Sequence, residues 1–424
     1  MIMKEIFEKV DFDHIEVDER WCFKNVRSTE QWTHGYHRYP AKFLPNIVKK
    51  LIEEYAIDDS MIADIFAGCG TTLVEAKIHG KPSIGVDINP VAKLITQVKI
   101  RPLLPMDLHI AYENLLNVFD TFNDADFRYN ETHERIDYWF RPQEKVKIAF
   151  LYKVISDIDE TDFRDFFLVC LSNILKNSSR WLQSSTKPQI DSNKIPSEPF
   201  EAFKLHCKKM IKQNASYYKE LHSKGFLNTS CQIKLQDARN TSLPSDTIGT
   251  IITSPPYVTS YEYADIHQLT GYWFDYIENL SLFRKEFIGT FYSNSQVTET
   301  TSSIGQEIID DLVVKEKRKA CEVANYFNDM YNVGKEMFRI LKPGGHACIV
   351  IGNTMFKGVK IKSAEVFFEM LIDVGFSEEK IIKRSIPYKL IPAIRDKTTG
   401  KFTTLDNKNS KLVYPEEYIL ILKK

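Results

Sequence analysis

Met61-Ile62-Ala63-Asp64-Ile65-Phe66-Ala67 is a short apolar run that breaks off into Gly68-Cys69-Gly70-Thr71-Thr72, and a helical pattern follows to about His79. A second apolar run, Ser83 to Ile88, carries an acid at Asp87, and Asn89-Pro90 opens another helix. Strand, helix and strand at roughly 10- to 15-residue spacing predict a right-handed parallel unit. The rest of the chain has to be fitted around a parallel sheet.

Further strands are predicted at Cys231 to Asp237, Thr247 to Thr253, Gly345 to Gly352, Lys380 to Ile386 and Tyr418 to Leu422, with a helix from about Ser363 to Val374. Leu341-Lys342-Pro343-Gly344-Gly345 reads as a helix stop and tight turn. From Pro102 to Asn228 the pattern is one of long helical periodicities broken by polar stretches. The expectation is an α/β chain with an open, mostly parallel seven-stranded sheet, helices on both faces, and a helical insertion. Residues 1–104 would form one half of the sheet domain, 105–228 the insertion and 229–424 the other half.

The 424 residues are 43% hydrophobic, ample for a core, and their net charge of -1 removes any bulk electrostatic case for a polyanionic partner. Basic surface has to be local. The seven cysteines form no C-x-x-C pair, so neither a zinc site nor a disulfide framework is expected, and the chain suits a reducing cytoplasm. No secretory leader and no apolar stretch of membrane-spanning length is visible.

A Gly-x-Gly between a buried strand and a helix lets backbone approach a ligand, and the helix start offers unpaired amides to an anionic group. Leu73 stands where a dinucleotide site wants its third glycine. Asp87, at the end of the second strand, is placed for two ribose hydroxyls, and Asp237, at the end of the third, for the amine of an adenine ring. With Asp64 these form an ordered set that points to S-adenosylmethionine. The run Thr250-Ile251-Ile252 delivers Thr253-Ser254-Pro255-Pro256-Tyr257, a stiff loop suited to holding a planar ring.

Asp64 to Thr72 resembles the Asp-Pro-Phe-x-Gly-Ser-Gly-Thr-Thr signature of DNA amino-methyltransferases of restriction-modification type, with Ile65 and Cys69 as departures. Ser254-Pro255-Pro256-Tyr257 matches that family's catalytic loop, and Tyr36 to Pro45 resembles the segment preceding the cofactor strand in members with non-permuted motif order. The resemblance implies a class I, Rossmann-like methyltransferase fold, in which the last strand runs antiparallel. It implies cofactor contacts from Tyr36, Lys42, Phe43, Asp64 and Phe66, and from the turn residues Gly68, Gly70, Thr71 and Thr72. Asp87, Ile88, Asp237, Ala238 and Ser254 complete that set.

An exocyclic base amine is a poor nucleophile because its lone pair is delocalised into the ring. By family analogy the Ser254 side chain and the Pro255 carbonyl accept its two hydrogens and favour a pyramidal nitrogen, Pro255 and Pro256 stiffen the loop, and Tyr257 stacks on a base extruded from double-stranded DNA. Ser in the first loop position resembles the N4-cytosine subgroup; N6-adenine, RNA amines and a catalytically silent regulator stay as alternatives. Ring-carbon methylation needs a cysteine nucleophile, typically after proline, and no Pro-Cys dipeptide exists. DNA contacts are expected from Arg180 and Lys187 in a Ser-rich segment, from Tyr261, Tyr263 and His267 after the loop, and from Arg395 in a polar hairpin-like stretch reaching Lys411. The family also implies a cognate restriction endonuclease as partner.

Overall fold

The computed structural model describes residues 10–26, 28–40, 42–123, 127, 129, 133–258, 263–291, 294–386, 394–396, 403, 406–412 and 415–424. Its strands are β1 Met61–Asp64, β2 Ser83–Asp87, β3 Cys231–Leu235, β4 Ile248–Thr253, β5 Leu341–Ile351, β6 Thr354–Phe356 and β7 Val359–Ile361. They continue with β8 Ser377–Ser385, β9 Ile394–Asp396, β10 Ser410–Leu412 and β11 Glu416–Lys423. Seven of them make one sheet in the order β3-β2-β1-β4-β5-β11-β8. The neighbours from β3 to β5 are parallel, and β11 alone runs against its neighbours β5 and β8. This is the expected class I methyltransferase sheet, its final strand inserted antiparallel. The reversal of strand order beside β1 and β4 opens a crevice at their carboxyl ends.

Alternation along the strands divides the core. Ala63, Ile251, Ala347, Ile349 and Leu420 face the helices Lys317–Ile340 and Ser363–Val374. Ile62, Ile252, Cys348, Val350, Ile419 and Ile421 face helix Pro45–Tyr55, which presents Ile47, Val48, Leu51 and Ile52 at helical spacing. β4 is buried along its whole length, as a central parallel strand must be. Residues Lys342 to Gly345 loop out of β5, so that the pairing steps from Ile248–Leu341 to Thr250–His346, and Gly344 takes φ +78° to allow it.

Helices Pro105–Phe119, Glu134–Trp139, Pro142–Ser156, Thr161–Leu175 and Pro199–Lys224 lie between β2 and β3 in sequence. They build a separate apolar core with Val91, Leu94, Ile95 and Val98 of helix Pro90–Ile100. Ala264, Leu269, Tyr272, Trp273 and Phe283, which follow β4, pack into that same core. Among the described residues no helix is long and apolar enough to cross a membrane, and no group of three or more His, Cys, Asp and Glu is arranged to hold a metal ion.

Candidate active site

The carboxyl ends of β1, β2, β3 and β4 bring Asp64, Asp87, Asp237 and Ser254 to the wall of one cavity of about 240 Å³. The glycine turn forms its floor. Gly68 and Gly70 have φ of +50° and +76°; a Cβ on Gly68 would touch the Tyr39 ring at 3.4 Å, and one on Gly70 would meet Thr96 at 2.7 Å. Gly70 therefore excludes a side chain on both counts, whereas at Gly68 a Cβ would make only ordinary contact and the left-handed φ is what favours glycine. The turn is held from behind, since Thr96 Oγ1 donates to the Gly68 carbonyl at 2.9 Å and fully buried Lys99 donates to the Cys69 carbonyl at 2.9 Å.

Asp87 Oδ2 accepts the Gly68 amide at 2.8 Å and Oδ1 accepts the Asn89 amide at 2.8 Å. Each oxygen keeps a second lone pair for a ligand hydroxyl. Desolvation pushes its pKa up to about 6, against the opposing pull of those amides. Asp64 is likewise pushed up to about 6 by burial. Its Oδ1 accepts from Thr253 Oγ1 at 2.6 Å and from the Phe66 amide at 3.1 Å, tying the glycine turn to the strand that carries the Ser-Pro-Pro-Tyr loop. Asp237 is clasped by Arg239, whose Nη2 approaches to 2.6 Å and whose Nη1 reaches Asp329 at 3.0 Å.

In the loop after β4, the Ser254 hydroxyl donates to the Val350 carbonyl at 3.1 Å. With its proton so engaged, the oxygen has acceptor lone pairs left to offer the cavity. Pro256 and Tyr257 line the wall beside it. Tyr257 donates to Glu417 Oε2 at 2.8 Å, and burial together with that carboxylate holds its phenol pKa well above the usual range.

Lys42, Phe43, Phe66, Thr71, Ile88 and Ala238 line the same cavity, as do Tyr263 and Lys187 from the set expected to touch DNA. Other expected residues lie elsewhere. Tyr36 is fully buried and packs edge-on against Phe166 at 5.6 Å inside the helical core, and Tyr39 takes the place on the cavity wall. Thr72 is buried and donates to the Ile252 carbonyl at 3.3 Å, Gly70 caps the helix Thr71–Ile78, and Pro255 is buried beside the cavity. His267, expected on DNA, is 4% exposed; its Nδ1 accepts from the Asn89 side-chain amide at 3.0 Å, and it backs Tyr39 with ring centroids 5.0 Å apart. Burial pushes its pKa down to about 4, so it is a neutral packing group rather than a phosphate contact. Arg180 turns its guanidinium to the Asp137 and Tyr138 carbonyls at the end of helix Glu134–Trp139. Arg395 lies in β9, paired with Lys411 of β10, and Tyr261 lies outside the described residues.

The opposite wall escapes sequence reasoning: Phe287, Ile288, Lys319, Glu322 and Tyr326 complete the cavity. The Tyr326 hydroxyl is buried there with no partner among the described residues. Phe287 and Ile288 follow the short helix Leu280–Glu286, and Lys319, Glu322 and Tyr326 recur at helical spacing at the start of helix Lys317–Ile340, which carries no motif that marks a site. The donor set fits a nucleoside cofactor: acids stand at the ends of β2 and β3, and Gly68 and Gly70 take the left-handed φ that lets the turn after β1 bring its backbone to the cavity.

Comparison with known proteins agrees. A family model described as DNA methylase, of the N6/N4 type, matches residues 4–98 and 248–424 and leaves out the helical middle. The chain is similar to the type II methyltransferase M.MvaI of Kocuria varians, 24% identical over 93% of this chain and 92% of that one. It is also similar to the type II methyltransferase M.BsoBI of Geobacillus stearothermophilus, 23% identical over 83% of this chain and 80% of the relative. Among solved structures, a SAM-dependent methyltransferase of Methanosarcina mazei aligns over 92% of this chain and 98% of its own at 10% identity, with a TM-score of 0.31. The matched segments carry both the glycine turn and the Ser-Pro-Pro-Tyr loop, and the chain belongs to the N6/N4 family of restriction-modification-type DNA methylases, which take their methyl group from S-adenosylmethionine.

Proposed function

We propose that this DNA methyltransferase modifies N4 of a cytosine flipped out of duplex DNA, as the modification half of a restriction-modification pair with a cognate endonuclease. The observation that carries the amine chemistry is Ser254. Its proton is committed to the Val350 carbonyl, so it meets the target amine as an acceptor. Accepting one amine hydrogen there, and the other at the Pro255 carbonyl, draws the nitrogen toward a pyramidal form whose lone pair is free to attack. S-adenosylmethionine, when bound, supplies the electrophilic methyl carbon on its sulfonium. Asp87 would hold the ribose hydroxyls, Asp237 the adenine edge, and Tyr257 the face of the target base. Serine as first residue of the loop supports cytosine over adenine. The helical region 105–228 would read the target, and Lys187, which reaches the cavity from it, supports that assignment.

The test is methyl transfer from radiolabelled S-adenosylmethionine to unmethylated duplex DNA and, separately, to total RNA, followed by digestion to nucleosides. Labelled N4-methylcytosine is expected from DNA. Labelled N6-methyladenine would overturn the choice of base, and label confined to RNA would overturn the substrate. Ser254→Ala should lower kcat on the order of 100-fold with cofactor Kd within about twofold; equal losses in both would make Ser254 structural.

A further inference from the structure

Tyr257 is anchored at its tip by a residue from the far end of the chain. Glu417, which accepts the Tyr257 hydroxyl, lies 160 positions away on β11. On the other side, a Cβ on Gly352 would stand 2.8 Å from Cε2 of the Tyr257 ring, so the bare backbone of Gly352 forms a slot wall. The second carboxylate oxygen of Glu417 binds the guanidinium of Arg384. Glu417 and Arg384 are direct cross-strand partners of β11 and β8, 9% and 2% exposed. Arg384 is fixed in turn by the Trp21 carbonyl, which accepts from Nε at 2.7 Å.

A buried ion pair is a poor device for stability, since well-packed apolar residues of the same volume often do as well or better. What this pair does supply is direction. One carboxylate oxygen is pinned by arginine, and the other is aimed at the phenol that faces the cavity. We propose that Glu417, held by Arg384, is a positioning residue that fixes the plane and tilt of the Tyr257 ring against which the target base stacks. The inference rests on the reading of Tyr257 as the stacking face. Methyl transfer demands a near-attack alignment, and a displacement of about 1 Å costs on the order of 100-fold in rate.

Methylation of unmethylated duplex DNA with labelled S-adenosylmethionine is measured for Tyr257→Ala, Tyr257→Phe, Glu417→Gln and the Tyr257→Phe/Glu417→Gln double variant, with cofactor Kd measured beside it. Tyr257→Phe and Glu417→Gln should each lower kcat about 10-fold or more while cofactor Kd stays within about twofold. The double variant should be no worse than the poorer single variant by more than about twofold, because both remove one contact. Multiplied losses in the double variant would overturn the proposal. Full activity in Tyr257→Phe alongside an inactive Tyr257→Ala would also overturn it, leaving the stacking role intact. Full activity in Tyr257→Ala would overturn the stacking role itself. Should Glu417→Gln fail to fold, Tyr257→Phe decides alone, since it leaves the Glu417–Arg384 pair in place.

Discussion

In the ribose-binding role proposed for it, Asp87 meets two demands that pull against each other. It must be ionised to accept ligand hydroxyls on both oxygens, yet its dry position beside Asp64 favours the protonated form and holds its pKa near 6. The sign follows directly. Above about 6 the group is a carboxylate and a full acceptor; as pH falls through about 6 it takes up a proton and loses acceptor capacity. Affinity for S-adenosylmethionine should therefore fall as pH drops through about 6 and level off above it. Titration calorimetry across that range checks this, with Asp87→Asn expected to bind weakly at every pH. A wild-type affinity without pH dependence would remove Asp87 from the cofactor contacts. The carboxylate was legible as a strand-end acid, but its burial depends on the packing of the turn above it.

At the scale of elements, the strands and the glycine turn announce themselves because their signals are local: alternation, a missing Cβ, and proline at the first position of helices such as Pro45–Tyr55, Pro90–Ile100 and Pro199–Lys224. The Ser-rich segment after helix Thr161–Leu175 is less transparent. Its cations look alike in sequence, yet Lys176 and Lys194 donate to backbone carbonyls of the same segment, Arg180 caps a helix end, and exposed Lys187 reaches the cavity. This division predicts that Lys187→Ala weakens binding to duplexes of any sequence and lowers the slope of log affinity against log salt by about 1, with cofactor affinity unchanged. An unaltered slope in a fluorescence-anisotropy salt series would exclude a phosphate contact at this residue.

Across the whole molecule, the helical region is joined to the sheet by a shared core rather than a linker. Tyr36 from the N-terminal segment, helix Pro90–Ile100 from the sheet domain, and the stretch after the Ser-Pro-Pro-Tyr loop all pack with Phe166 and its neighbours. Phe166→Ala should cost about 3–5 kcal/mol and shift a single unfolding transition as a whole. Calorimetry that resolved a separate early transition would mean that the helices unfold apart from the sheet. The same packing explains which site residues stayed hidden. Tyr36 and Tyr39 are three residues apart in one aromatic segment, and the turn Trp32–Gly35 with helix Thr161–Leu175 behind it decides that Tyr36 is covered and Tyr39 faces the cavity. His267 is buried by Tyr39 and Asn89, which reach it from distant parts of the chain. By itself the sequence determined the sheet, the glycine turn and the Ser-Pro-Pro-Tyr loop, because each follows from steric and hydrogen-bonding preferences of adjacent residues. Only the tertiary structure decided which tyrosine lines the cavity, what stands on its far wall, and that Glu417 holds Tyr257, because those contacts join residues that only the packing of the sheet brings together.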